Sequence, residues 1–324
     1  MTTGILTNRP KLRRTSLRAP CPVCEGKGCG LGEGLTLCWR VASDKQARSG
    51  AWIHIAESDI SHRRYVPRPV YIAPPLASPE RRHAVYSALL EKLPLYNIHA
   101  DQLANRRRLS NTTIAAEGFA SVPAKSFAKP IVEELASRFD LSYVPGFFKG
   151  GRRWHLRFVG MQGFYIPIRD HNGRISALEI RRDTEDPKRR YLLLSTGGAE
   201  FPLGASSGAS PHFARRWQTR DAILITEGAL KANVCAELLG QPVVGLVAVG
   251  TFGDRFGWQL RTWFPQLERA AIAYDMEENE NTEKQKARLV KALEAAQLEA
   301  VVFNWPKEVE KGFDDYLISQ RGES

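Results

Sequence analysis

From residue 221 onward, short unbroken apolar runs alternate with helix-like segments, and this alternation limits the fold more than any other feature. Ile223, Leu224 and Ile225 form one run; Val243, Val244, Leu246, Val247 and Val249 a second; Ala270 to Tyr274 a third; Val301, Val302 and Phe303 a fourth. A strand with one wet face alternates polar and apolar residues, whereas an unbroken apolar run is covered on both faces. The intervening segments, one ending near Leu239 and one over 282–297 that should bury Ala287, Val290 and Leu293, supply the covering helices. The expected fold is α/β, with a mainly parallel sheet flanked by helices.

Ligands of open parallel sheets gather beyond the carboxyl ends of the strands. Three acidic positions fall there: Glu227 after the first strand, Asp275 with Glu277 after the third, and Asp314 with Asp315 beyond the fourth. Carboxylates gathered at one edge repel one another unless a cation joins them, and hard oxygen ligands suit Mg²⁺ or Mn²⁺. Asp275, Glu277, Asp314 and Asp315 are therefore candidate metal ligands, and Glu227, Asp275 and Glu277 candidate catalytic residues, with Glu227 as general base or further ligand. Acids in such loops also cap helices.

The other end of the chain has different chemistry. Cys21, Cys24, Cys29 and Cys38 fall within 18 residues in a C-x2-C-x4-C-x8-C arrangement, among Gly26, Gly28, Gly30, Gly32 and Gly34. So small and glycine-rich a segment lacks an apolar core, and four soft thiolates suit tetrahedral Zn²⁺ in a structural role. His54 and His62 are alternates for one thiolate. Trp39, Arg40 and Trp52 are candidates either for stacking on bases or for the module's own core. Cys235 lies among apolar residues and is expected to be inert core.

Charge separates along the chain. Residues 221–324 hold 11 Lys/Arg against 17 Asp/Glu, whereas residues 1–220 hold 35 against 18. A basic body attracts polyanions. Arg106 to Arg108 is expected to be a solvated run; Arg169, Arg181, Arg182, Lys188 and Arg190 are the candidate nucleic-acid or nucleotide contacts, with Lys231 as a candidate phosphate contact. Adjacent strand residues face opposite ways, so Arg181 and Arg182 cannot share one groove. Five prolines between Pro67 and Pro79 mark a linker. The expected boundaries are a zinc module over 1–65, a linker over 66–80, a basic helical and β-rich subdomain over 81–220, and the acidic domain over 221–324. No apolar run approaches the ~18 residues of a bilayer span, and the charged N-terminus has no apolar signal core. A cytoplasmic protein with no membrane partner is expected.

Four segments carry a family resemblance: Ile223–Lys231 with its Thr-Glu-Gly, Val249-Gly-Thr251, Ala273-Tyr-Asp-Met-Glu277, and Lys311-Gly-Phe-Asp-Asp-Tyr-Leu317. Together they resemble a TOPRIM domain. Upstream, Phe164-Tyr-Ile-Pro-Ile-Arg169, Gly173-Arg174, Arg181-Arg182, Pro187 to Leu192 and Pro202-Leu-Gly204 are similar to the basic half of DnaG-type primases, in the same order. The likeness is greatest to short primase-like proteins of mobile elements. It implies a DNA primase that makes short primers on single-stranded DNA from nucleoside triphosphates. The zinc module would engage template, and a separate helicase is a candidate partner, since the helicase-docking domain of replicative primases is not expected. Two departures stand out: Glu277 replaces the usual second Asp, and Lys231 stands where primases often have an acid. A TOPRIM nuclease and a non-catalytic DNA-binding replication accessory share the same motifs.

Overall fold

The computed structural model describes residues 12–16, 18–32, 35–47, 49–55, 75–186, 190–207, 210–214, 221–247, 255–276, 280–306 and 310–322. Glu277, Lys188, His62, the 249–251 segment and residues 66–74 of the proline-rich stretch lie outside them. The chain divides into two compact units, Met1–Ile72 and Ala73–Ser324. No helix among the described residues is long and apolar enough to cross a membrane.

The first unit is a small antiparallel sheet of β1 (Arg13–Arg14), β2 (Gly30–Gly32), β3 (Leu35–Cys38) and β4 (Trp52–Ile55), in that order. Its described apolar centre is little more than Cys21, Cys29 and Cys38, all fully buried, with Val23, Cys24 and Val41 packed on them.

The second unit begins with α1 (Pro79–Glu91), where Ser78 caps the helix by accepting from the Arg81 N–H at 3.2 Å and Pro79 sits at the first helical position. α2 (Asn97–Asp101) runs into a π-helical turn, Gln102–Arg106, followed by α3 (Asn111–Glu117), β5 (Ala120–Ser121) and α4 (Lys125–Arg138). A hairpin follows, β6 (Phe147–Gly150) and β7 (Arg153–Leu156). β8 (Gly163–Arg169), β9 (Ile175–Arg182) and β10 (Tyr191–Leu193) complete an antiparallel sheet in the order β10-β9-β8-β5. The hairpin expected from the Asp170–Gly173 turn is β8–β9.

The third sheet holds β11 (Pro211–Phe213), β12 (Ala222–Glu227), β13 (Val243–Leu246), β14 (Arg269–Ala273) and β15 (Glu299–Val302) in the order β11-β13-β12-β14-β15. Between them run α5 (Ala229–Leu239), α6 (Phe256–Trp263) and α7 (Glu280–Ala295), and α8 (Phe313–Gly322) closes the chain. β12 to β15 are mutually parallel. β11 is the exception, an antiparallel edge on β13 that is too short to show in the sequence pattern. The chain leaves β12 toward β13 and leaves β14 toward β15, so the topological switch lies between the carboxyl ends of β12 and β14.

Residues 81–220 and 221–324 pack together: Phe164, Ile166 and Ile168 share one core with Ala229, Leu230 and Val234 of α5. One expectation changes. In α7, Ala287 is exposed while Leu289 and Leu293 face inward. The apolar stripe therefore runs one helical step from where the alanine placed it.

Candidate active site and metal centre

At the switch point, Glu227 ends β12 and Asp275 follows β14 by two residues. The turn from β12 into α5 requires Gly228, whose φ of 72° and ψ of 160° disfavour a side chain. Gly245 on β13 serves the same turn, since a Cβ there would collide with the Gly228 carbonyl oxygen. These glycines bring Glu227, Lys231 and Asp275 to a cavity of about 340 Å³, closed from the other side by Glu179 and Tyr191.

Asp314 and Asp315 lie in the first turn of α8. An aromatic cluster of Phe303, Trp305, Phe313 and Tyr316 fixes that turn, with Trp305 and Phe313 ring centres 5.0 Å apart. The Trp305 indole donates to the Glu310 carbonyl at 2.8 Å, and the Met276 N–H donates to the Lys311 carbonyl at 3.0 Å, tying the chain after β14 to the start of α8.

Two cations already sit on these acids. Lys231 Nζ donates to Asp275 Oδ1. Arg107 Nη1 donates to Asp314 Oδ2 at 2.6 Å and to Asp315 Oδ1 at 2.9 Å. Asp314 is fully buried and its Oδ1 has no partner among the described residues. Burial raises its carboxyl above the usual range, against the pull of Arg107 and Lys231. The expectation that Arg106 to Arg108 is solvated therefore fails at Arg107. The π-turn closes with the Arg107 N–H on the Gln102 carbonyl at 3.1 Å, and Arg108 then takes a φ of 56°.

Beside this cavity, a second of about 630 Å³ is lined by Gln102, Asn105, Arg106, Arg181, Asp183 and Arg190. Arg181 pairs across the sheet with Tyr191 and with Phe164, so the three share one face. Its Nη1 donates to Gln102 Oε1 at 3.0 Å. Arg182, next along β9, belongs to the opposite face, as strand geometry requires. His99 joins α2 to both neighbouring elements, with Nδ1 2.7 Å from Ser121 Oγ and Nε2 3.0 Å from Asp183 Oδ2. Ser121 is 1 % exposed and also accepts from the Tyr96 N–H, so this serine–histidine–acid chain is a brace and not a nucleophile site.

Arg169 is a correction. Its guanidinium is buried, with Nε 3.1 Å from Glu117 Oε2, Nη1 donating to the Gly173 carbonyl and Nη2 to the Glu117 carbonyl. A cation so committed braces β8 against α3 and is not offered to a nucleic acid. His212 lies beneath it. Its Nδ1 accepts from the Arg169 N–H, which leaves Nε2–H to donate to Asn233 Oδ1 at 2.9 Å, and burial lowers its pKa to about 4.

Sequence reasoning passed over Glu179. Burial pushes its pKa up to about 8 from the ordinary 4.5. Between those values the folded chain keeps a proton that the unfolded chain has lost, so stability should fall as pH rises through this window. We expect a Glu179-dependent loss on the order of a few kcal/mol between pH 5 and 8. Urea melts across that range should show a flatter profile for Glu179→Gln; an unchanged profile would refute the assignment.

In the first unit, the Sγ atoms of Cys21, Cys24, Cys29 and Cys38 all lie within 4.8 Å of one another, the one such cluster of ligand atoms among the described residues. His54 is not in it, because its Nε2 is held at 3.0 Å by the Val41 carbonyl. A knuckle shapes the loop: the Glu25 N–H donates to the Cys21 carbonyl at 2.7 Å and the Cys21 N–H to the Gly26 carbonyl at 2.9 Å. The thiolate donor set and its convergence fit Zn²⁺. Arg14, Arg18, Lys27 and Arg40 line a basic concavity on the same unit, and Trp39 is 41 % exposed.

A family model described as a domain of unknown function (DUF3854) matches residues 216–324. No curated protein matches. Among solved structures, the chain is similar to the zinc-binding and RNA polymerase domains of the Aquifex aeolicus primase, with a TM-score of 0.57 and 16 % identity, over 76 % of this chain and 60 % of that one. It is also similar to the RNA polymerase domain of Mycobacterium tuberculosis primase DnaG in complex with a DNA oligomer bearing a 6-nucleotide overhang, with a TM-score of 0.54 and 16 % identity over 77 % and 79 % of the two chains. A Pseudomonas aeruginosa DNA primase domain gives a TM-score of 0.52 at 17 % identity over 74 % of each chain. In fold, the chain resembles the catalytic cores of DnaG-type primases.

Proposed function

We propose that this protein is a primase-like nucleotidyltransferase that synthesises short primers on single-stranded DNA. The observation that carries the reading is the placement of Glu227 and Asp275 at the carboxyl ends of adjacent parallel strands, with Asp314 and Asp315 on α8 beside them and Arg181 and Arg190 lining the neighbouring cavity. The acids correspond to the TOPRIM pattern of the sequence. Asp275, Asp314 and Asp315, joined by Glu277, would hold Mg²⁺ or Mn²⁺; the orphaned Oδ1 of Asp314 and the all-oxygen donor set fit such an ion. When bound, the ion supplies charge neutralisation on phosphoryl oxygens. Glu227 takes the proton of the attacking 3′-hydroxyl. Lys231, on the first turn of α5, turns from Asp275 to a nucleotide phosphate. Arg181 and Arg190, with Lys188 as a further contact, track the template backbone; Arg182, on the opposite face of β9, does not share that path. The first unit adds template contact through its basic concavity, with Zn²⁺ on its four thiolates.

One observation favours a second reading. Lys231 and Arg107 already neutralise the acids, as in a DNA-binding accessory protein that has no need of a metal at this edge. Primer synthesis separates the two. With single-stranded DNA, the four nucleoside triphosphates and Mg²⁺ or Mn²⁺, wild type should yield short products and Glu227→Gln about 10²-fold less. Folded wild type that binds DNA but makes no product under either metal selects the accessory reading; strand cleavage without nucleotides selects a nuclease.

A further inference from the structure

The cavity at Glu227 contains one carboxyl that the metal and phosphate assignments leave unused. Glu179 lies within β9, 6 % exposed, between Ile166 of β8 and Leu193 of β10. Among the described residues no cation or donor meets its carboxyl, and burial is the sole influence on it. An unpaired buried carboxyl costs stability that an apolar residue there would not. The cavity it faces, at about 340 Å³, is within the size range of small-ligand sites.

The cavity has two chemically different walls. Glu227, Lys231 and Asp275 form the charged wall, suited to phosphates and their counter-ion. Glu179 and Tyr191 form the other, one carboxyl and one phenol; Arg107 and Arg181 act on Tyr191, whereas no cation among the described residues acts on Glu179. A phosphate has nothing to bind at Glu179, so the uncharged part of a nucleotide belongs against it. Resting on the nucleotidyltransferase reading, we infer that Glu179 recognises the sugar of the incoming nucleotide through its 2′-hydroxyl and selects ribonucleotides over deoxyribonucleotides. A template-directed enzyme must admit all four bases at one position, so a fixed polar group in this wall has to address what the four share. A hydroxyl both donates and accepts, and it therefore satisfies the carboxyl whether protonated or ionised.

Calorimetric binding of ATP, dATP, CTP and dCTP to the full chain, with Ca²⁺ as a cation that does not support turnover, tests this. Wild type should bind each ribonucleotide about tenfold more tightly than its deoxy counterpart. Glu179→Leu should erase the difference by weakening the ribonucleotides alone, while its melting temperature holds or rises; a purely structural glutamate would leave the ratio untouched. Glu179→Gln, isosteric and still able to hydrogen-bond, should keep about a threefold preference and covers the case in which the leucine variant does not fold. Equal binding of both sugars by wild type, or a preference that survives in either variant at full strength, overturns the sugar assignment and leaves nucleotide binding intact. Folded wild type that binds none of the four overturns both.

Discussion

Stripping the metal from the four-cysteine cluster should unfold the first unit and leave the second folded. The reason is the composition of the small core. Among the described residues its fully buried apolar side chains are Cys21, Cys29, Cys38 and Ala51, with Val23, Cys24 and Val41 partly buried against the cysteines. Two-residue β1 and three-residue β2 add few ladder bonds. A unit of this size cannot bury enough hydrocarbon to offset chain entropy. The sulfurs also make a poor core without an ion. Burial pushes the Cys38 thiol up to about 12, while at Cys24 burial is outweighed by the Arg40 and Gly26 hydrogen bonds, which bring it to about 7. The thiols are thus unequal in their readiness to ionise, and only a cation shared by all four makes four thiolates at once favourable. Structural zinc in such modules is worth about 10–16 kcal/mol, as much as a domain's whole net stability. Hydrogen exchange on the intact protein should show protection lost across 12–55 on addition of a chelator and retained in β8, β9, β12 and α5. Cys38→Ser should reproduce the loss, and elemental analysis should find stoichiometric zinc in wild type. Protection that persists in chelator-treated protein containing no zinc would end the structural-metal argument.

The alternating apolar runs disclosed β12, β13 and β14 and, through them, Glu227 and Asp275. Those positions are legible because an unbroken apolar run reports burial on both faces, and the residue that ends it is placed by chain geometry alone. The pairing partners of charged residues are not legible in that way. Arg107 and Asp314 are separated by 207 positions, and nothing local to Arg106–Arg108 distinguishes the arginine that is covered from those that are not. The same blindness makes Arg169 read as a nucleic-acid or nucleotide contact: on a strand, an arginine after an apolar run resembles an exposed end, and the carboxylate beside it comes from α3. Glu179 was missed for the opposite reason. In β9 every residue from Ile175 to Ile180 is buried, so period-two alternation does not mark the inward acid, and one glutamate in an apolar strand resembles an ordinary solvent-facing residue. Glu179 becomes visible only when β9 is set against β12 and α5 around one cavity, and Arg107 only when the π-turn meets α8.

Replacing Arg107 with alanine should cost about 3–5 kcal/mol, the second large effect. The side chain of Asp314 is 0 % exposed and that of Arg107 17 %, so the pair has little water to take over when one partner is removed. Truncation leaves Asp314 buried with its charge uncompensated by any group on α2 or the π-turn, and Lys231, bound to Asp275, reaches it only as a field. The desolvation of a carboxylate is then unopposed, which is why breaking a buried pair costs far more than the pair contributes relative to an apolar substitute. Removing the charge as well should recover much of the loss: Asp314→Asn in the Arg107→Ala background leaves a neutral amide in place of a buried anion. In urea titrations the single Arg107→Ala variant should be the least stable of the four proteins in the cycle, and the coupling between the two positions should be on the order of 1–3 kcal/mol. Because Arg107 also holds Asp315 on the exposed side of α8, Asp315→Asn should couple more weakly, by about 1 kcal/mol or less, as expected for a pair in contact with solvent. Strict additivity between Arg107 and Asp314 would mean that the arginine is solvated in the folded protein. The cation on these carboxylates would then have to come from solution, which would return this edge of the sheet to the metal-only site that the sequence implied.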